Sequence, residues 1–68
     1  MAVARITEII GSSEKSWDDA VHTALDRANQ TLRGLTGLEV TKMNAAIGED
    51  GKISEYRAHL RITFVLEG

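Results

Sequence analysis

No cysteine occurs among the 68 residues, which excludes disulfide frameworks, thiolate metal sites and cysteine nucleophiles together. No apolar run approaches the roughly 18 residues that cross a bilayer, and the first residues do not read as a signal peptide. Positive charge is also short, with 8 Lys+Arg against 10 Asp+Glu for a net charge of −2. A chain of that sign lacks the field that gathers polyanions, which argues against nucleic acid as a partner. What is present is a 43% hydrophobic share, typical of a folded chain. The expectation is one soluble, cytoplasmic domain over residues 1–68, with neither a membrane nor a nucleic-acid partner.

Size sets a stability problem. Below roughly 70–80 residues a lone core seldom supplies more than about 3–5 kcal/mol, and such domains lean on disulfides, metals or association. With disulfides excluded, association with copies of itself becomes the leading expectation.

Four segments follow one another without repeat or linker. Val3 to Ile10 reads as a strand ending at Gly11, with Gly11-Ser12-Ser13 as turn chemistry. Ser16 then stands as a helix N-cap, with Asp19 three residues on as a capping-box variant. Asp18 and Asp19 suit the positive end of the helix dipole. Trp17, Ala20, Val21, Ala24, Leu25, Ala28, Leu32 and Leu35 recur at spacings of three and four, which predicts one apolar helical stripe closed by Gly34 as a left-handed cap.

Two strands then flank Glu49-Asp50-Gly51. In the last, Tyr56, Ala58, Leu60, Ile62, Phe64 and Leu66 alternate with Glu55, Arg57, His59, Arg61, Thr63 and Val65. Leu38 and Val40 are the matching apolar pair before the turn. Keeping both even-numbered sets on one face requires a three-residue loop with Gly51 as its left-handed residue. That loop predicts Val40 opposite Leu60, Leu38 opposite Ile62 and Glu39 opposite Arg61. The fold class is therefore α+β, in βαββ order, with a three-stranded antiparallel sheet of order 1-3-2 wrapped on one helix.

The other face holds Glu39, Thr41, Met43, Ile47, Ile53, Arg57, His59, Arg61 and Val65 by the same alternation, and no second helix is left to shield it. Exposed Met43, Ile47, Ile53 and Val65 on that face point to packing against further copies of the chain.

At this point the residues resemble a known family. Ser16-Trp17-Asp18-Asp19-Ala20-Val21, the helix ending in Thr31-Leu32-Arg33, Leu38-Glu39-Val40, and Glu55-Tyr56-Arg57 through Phe64-Val65-Leu66-Glu67 are similar to the corresponding segments of dodecins, over nearly the whole chain. The resemblance implies a homododecamer in the form of a hollow sphere. It implies a flavin ligand (FMN or riboflavin) stacked in pairs between subunits, and a store of small ligand rather than an enzyme. The family's stacking tryptophan falls at Gly37, its ring-binding glutamine at Arg57, and the arginines that some members turn to flavin phosphates near Asn44 and Val65. All four positions depart from the family pattern, so the flavin pocket reads as degenerate. Trp17, at the helix start, reads as a packed core or interface aromatic rather than a replacement platform.

Calcium is the alternative, because some dodecin-like proteins without the stacking tryptophan are associated with Ca2+. No EF-hand loop is present, so a site would be assembled between subunits from Glu8, Glu39, Glu55 or Glu67, or at Glu49-Asp50. His22 and His59 share no metal spacing. No Ser-His-Asp grouping, phosphate loop or locally paired carboxylates support catalysis.

Overall fold

Alternation in the strand segments and the alanine-rich stripe between them lead to the order β1 (Val3–Ser13), α1 (Trp17–Thr31), β2 (Leu35–Ile47) and β3 (Ile53–Leu66). The computed structural model describes residues 3–66. The strands form one antiparallel sheet of order β1-β3-β2. Val40 pairs with Leu60, Leu38 with Ile62 and Glu39 with Arg61, the register the hairpin argument requires. Its turn is the expected one. Gly51 has φ +79°, Gly48 N–H donates to Lys52 O at 2.8 Å, and Gly51 N–H to Gly48 O at 3.0 Å.

Gly11 does not end the first strand. It lies buried within β1, opposite Ala58, and the strand runs on to Ser13. The reason is the helix: a Cβ on Gly11 would stand 2.2 Å from Ala20 O and 2.8 Å from Ala24 Cβ. Gly11 is there because the backbone of α1 comes down onto it.

The start of α1 is capped as expected, Ser16 Oγ accepting from Asp19 N–H at 2.9 Å. Asp19 closes the box through an intermediary. Its carboxylate accepts from Ser13 Oγ at 2.6 Å, and Ser13 Oγ in turn accepts from the Lys15 and Ser16 N–H groups. The helix stops at Thr31, earlier than the apolar stripe suggests. Leu32 is an extended C-cap, Leu35 already belongs to β2, and Gly34 (φ +71°) serves the turn into that strand rather than the helix end. Its carbonyl accepts from Val65 N–H at 3.0 Å, which ties that turn to β3.

The core is thin. Ala20, Ala24 and Ala28 of α1 lie on Ala58, Leu60 and Ile62 of β3, with Ile9, Val21, Leu32 and Leu35 around them. Among the described residues only Leu60 and Ile62 are large side chains buried completely. Burying each contributes on the order of 1.5–3 kcal/mol, before the entropy of ordering is subtracted. Small residues on both sides let helix and sheet approach closely, over β1 and β3. They also leave β2 uncovered: Leu38 and Val40 face the helix side yet remain exposed.

Candidate functional site

Among the described residues nothing covers the face of the sheet turned away from α1. Reading outward-facing positions in rows across β1, β3 and β2 gives Ser12–Arg57–Asn44, Ile10–His59–Lys42, Glu8–Arg61–Glu39 and Ile6–Thr63–Gly37, with Ala4–Val65 beyond. Polar groups cluster toward the hairpin end and aliphatic ones toward the β1 edge. Ile6 and Ile10 are 59% and 62% exposed, a large apolar area for side chains in regular strands.

The third row is an ion-pair ladder. Arg61 lies between Glu8 at 3.7 Å and Glu39 at 3.8 Å, so the cross-strand pair expected on one side is present on both. Each is a solvated contact worth at most about 1 kcal/mol. In the first row Arg57 Nε donates to Glu55 Oε1 at 2.6 Å.

The outer-face composition differs from simple alternation at one place. β2 carries a bulge at Thr41, whose Oγ1 donates to His59 O at 3.2 Å, and the pairing slips from Val40↔Leu60 to Lys42↔His59. Beyond the slip every side chain of β2 exchanges faces. Met43 therefore pairs with Ala58 on the helix side and is no part of the outer face, while Lys42 and Asn44 turn outward. Asn44 Nδ2 comes within 3.4 Å of His59 Nε2, and Asn44 O accepts from Trp17 Nε1 at 2.9 Å. Asn44 Oδ1 is buried without a partner. A half-turn of the amide sets it against the same His59 nitrogen as an acceptor, satisfied when Nε2 carries the proton. Val65, expected among the exposed residues, is partly buried.

The four candidate positions from the sequence all occupy this face, in two groups. Asn44 and Arg57 are cross-strand partners; Gly37 is opposite Thr63, with Val65 two residues further along β3. Thr63 lies six residue steps along β3 from Arg57, a span of about 20 Å at the usual rise per residue. One subunit therefore does not bring all four together. Trp17 belongs to neither group. It is partly buried, meets Tyr56 edge-on with ring centroids 4.8 Å apart, and spends its N–H on β2, as a packed aromatic does.

Carboxylates do not converge. Among the described residues no three of His, Asp or Glu are grouped to hold a metal ion. Glu8 and Glu39 flank Arg61 and Glu55 binds Arg57, while Glu49 and Asp50 sit exposed on the turn. Glu67 lies outside the described residues. His22 is exposed on α1, 3.8 Å from Asp18. No described helix is long and apolar enough to cross a membrane.

A helix laid on one side of a three-stranded sheet, with the opposite side open, defines a class of small βαββ subunit. Comparison with known proteins gives that class its family. Residues 3–67 match the family model for Dodecin. Dodecin from Thermus thermophilus is 40% identical over 65 residues, 96% of this chain and 93% of that protein. The structure of dodecin from Streptomyces coelicolor matches with a TM-score of 0.93 at 40% identity, over 98% of this chain and 94% of that one. Calcium dodecin from Mycobacterium tuberculosis is 33% identical over 64 residues, 94% of this chain and 89% of that protein. Its crystal structure, described as a calcium-chelating antigen with a novel calcium-binding site, matches with a TM-score of 0.84 at 31% identity, over 96% of this chain and 91% of that one. The chain belongs to the dodecin family.

Proposed function

We propose that this protein is a cytoplasmic, non-catalytic store for a small ligand, built as a homododecamer of the single domain 1–68, with neither nucleic acid nor membrane as a partner. Its ligand pocket lies between subunits and is of the flavin type, for FMN or riboflavin, with chemistry altered enough to lower flavin affinity. The observation that carries this reading is the division of the four aligned positions. Gly37 and Val65 at one end of the open face, and Asn44 and Arg57 about 20 Å away, meet only if one subunit's end lies against another's. Exposed Ile6 and Ile10 on the outward side, Leu38, Val40 and Met43 on the helix side, and the Ile47–Ile53 pair at the hairpin end supply the apolar area for such packing.

Residues of one subunit do not fit a flavin ring as a stacked platform would. Gly37 has no side chain, and Trp17 is engaged within its own subunit. Space for a ring is nevertheless present: a Cβ on Gly37 would meet only Thr63 Cβ, at 3.9 Å. Gly37→Trp is expected to tighten flavin binding about tenfold or more, since stacking is worth roughly 1–3 kcal/mol per ring. Quenching of free flavin fluorescence on titration measures this, and a variant that assembles normally with no gain argues against a flavin-type pocket.

A second reading, calcium binding, is favoured by the calcium-chelating relative. Calcium takes six to eight oxygens, so carboxylates of several copies would have to converge, Glu8, Glu39, Glu55 or the Glu49–Asp50 turn among them. Unquenched flavin together with a calcium-dependent rise in melting temperature would favour that reading over the first.

A further inference from the structure

We propose that the β2–β3 hairpin of a second copy of this chain packs into the groove between β1 and α1, seating Ile47 and Ile53 on its aliphatic floor and Glu49 and Asp50 against Arg27. The proposal rests on the preceding reading only in taking copies of the chain to associate, and it names the two surfaces that meet.

The hairpin outruns the rest of the sheet. β1 has its last partner at Ser13↔Tyr56, whereas β2 and β3 stay paired as far as Ile47↔Ile53. Beyond Tyr56 the sheet is therefore a two-stranded ribbon, and such a ribbon is at best marginally stable in water without a surface to pack on. Its end is aliphatic: Ile47 is 72% and Ile53 46% exposed. Side chains of that kind held out on an arm call for an apolar seat.

The same chain carries one. The groove between β1 and α1 encloses about 500 Å³, with Ile9, Ala24, Ala28 and Leu32 on its floor and Thr23 and Arg27 on the α1 side. Alanine at two successive turns of the helix leaves the floor low, so that aliphatic side chains from outside can enter. A subunit's own hairpin does not reach it. Gly11, at the hairpin end of the groove, lies opposite Ala58, and Ile53 is five residue steps further along β3, a span of about 17 Å. The arm runs away from its own groove, and only another copy's arm can fill it.

Charge fixes the direction of entry. Among the described residues Arg27 makes no ion pair, and neither does Arg5, which alternation places on the same face of β1 as Thr7 at the far end of the groove. Glu49 and Asp50 at the tip of the hairpin are exposed and make none either; Asp50 Oδ1 accepts only the Lys52 N–H, at 3.0 Å. Lys52 follows the turn and leaves the tip net negative. The remaining carboxylate of the arm, Glu55, is held by Arg57. A negative tip on an aliphatic arm thus meets an aliphatic groove with a positive side, the kind of complementarity that sets register between partners.

The test is a charge exchange, read as the protein concentration at which the assembly half-dissociates in light scattering. Arg27→Glu and Glu49→Arg alter exposed side chains, as does Gln30→Glu, the control for added negative charge on α1. Each reversal alone is expected to raise that concentration about tenfold or more, and Ile47→Ser to do the same by removing the seated side chain. The two reversals combined should return it to within about threefold of the unmodified protein, with the control unchanged throughout. Unaltered dissociation in either reversal, or a combined variant no tighter than the single ones, overturns the contact while leaving the assembly in place; a small molecule seated in the groove would give the first of these results. A single-chain mass for the unmodified protein at every concentration overturns the contact together with the assembly it rests on.

Discussion

Replacing Gly11 by alanine is expected to destabilise the subunit by about 3 kcal/mol, lowering the melting midpoint by roughly 10–20 °C. The added methyl would stand 2.2 Å from the Ala20 carbonyl oxygen and 2.8 Å from Ala24 Cβ. Neither neighbour is the end of a flexible side chain, so the obstruction is the helix itself. To admit the methyl, α1 must lift from β1 and open the contacts of Ala20, Ala24 and Ala28 with β3. Thermal melting followed by far-ultraviolet circular dichroism measures the loss. A midpoint within a few degrees of the unmodified protein would show that the helix does not lie as close to the strand as described.

Leu60→Ala is expected to cost about 2–5 kcal/mol, the usual range for truncating a buried leucine. Leu60 sits in the central strand between Ile9 and Val40 and is 1% exposed. With only Leu60 and Ile62 as large, fully buried side chains among the described residues, there is little else to collapse into the space. A loss of that size approaches the whole stability that a lone core of this length supplies. The variant should therefore fold only while association supports it. Its melting midpoint should rise with protein concentration, as mass action requires when only the folded state associates. Urea unfolding at two well-separated concentrations reads both effects. An unchanged midpoint in the variant would mean that Leu60 is not central to the core.

Much of this architecture was legible in the residues. Strand pairing followed from two facts: the even-numbered series of β3 has a single apolar face, and Gly51 fixes how many residues the turn contains. Ser16 announced the helix start by its chemistry. Two features were hidden for reasons that are tertiary. Glycine commonly marks a turn, and nothing near Gly11 reveals that a helix carbonyl will lie where its side chain would be. The end of α1 was obscured because Leu32 and Leu35 keep helical spacing, although Leu35 serves β2. The candidate site was legible only in part. Odd-numbered Gly37 and Arg57 belong by alternation to the face away from the helix, and the strand pairing puts them there. Thr41 carries no local mark of a bulge, since threonine is an ordinary strand residue. The exchange of Met43 for Lys42 and Asn44 on the open face therefore could not be read from alternation, and with it the neighbourhood of His59 was missed.

An open sheet face, an open flank of β2 and, among the described residues, a core of six buried side chains make the isolated subunit marginal. A groove of about 500 Å³ between β1 and α1, lined by Ile9, Ile10, Gly11, Ala24, Ala28 and Leu32 among others, adds to the exposed apolar surface. The most direct measurement is the mass in solution, by light scattering or sedimentation over a wide dilution range. Twelve copies of a 7.4 kDa chain give about 89 kDa, and that mass should persist to low concentration, with dissociation and unfolding occurring together. A folded, heat-stable species of 7.4 kDa at any concentration would contradict it.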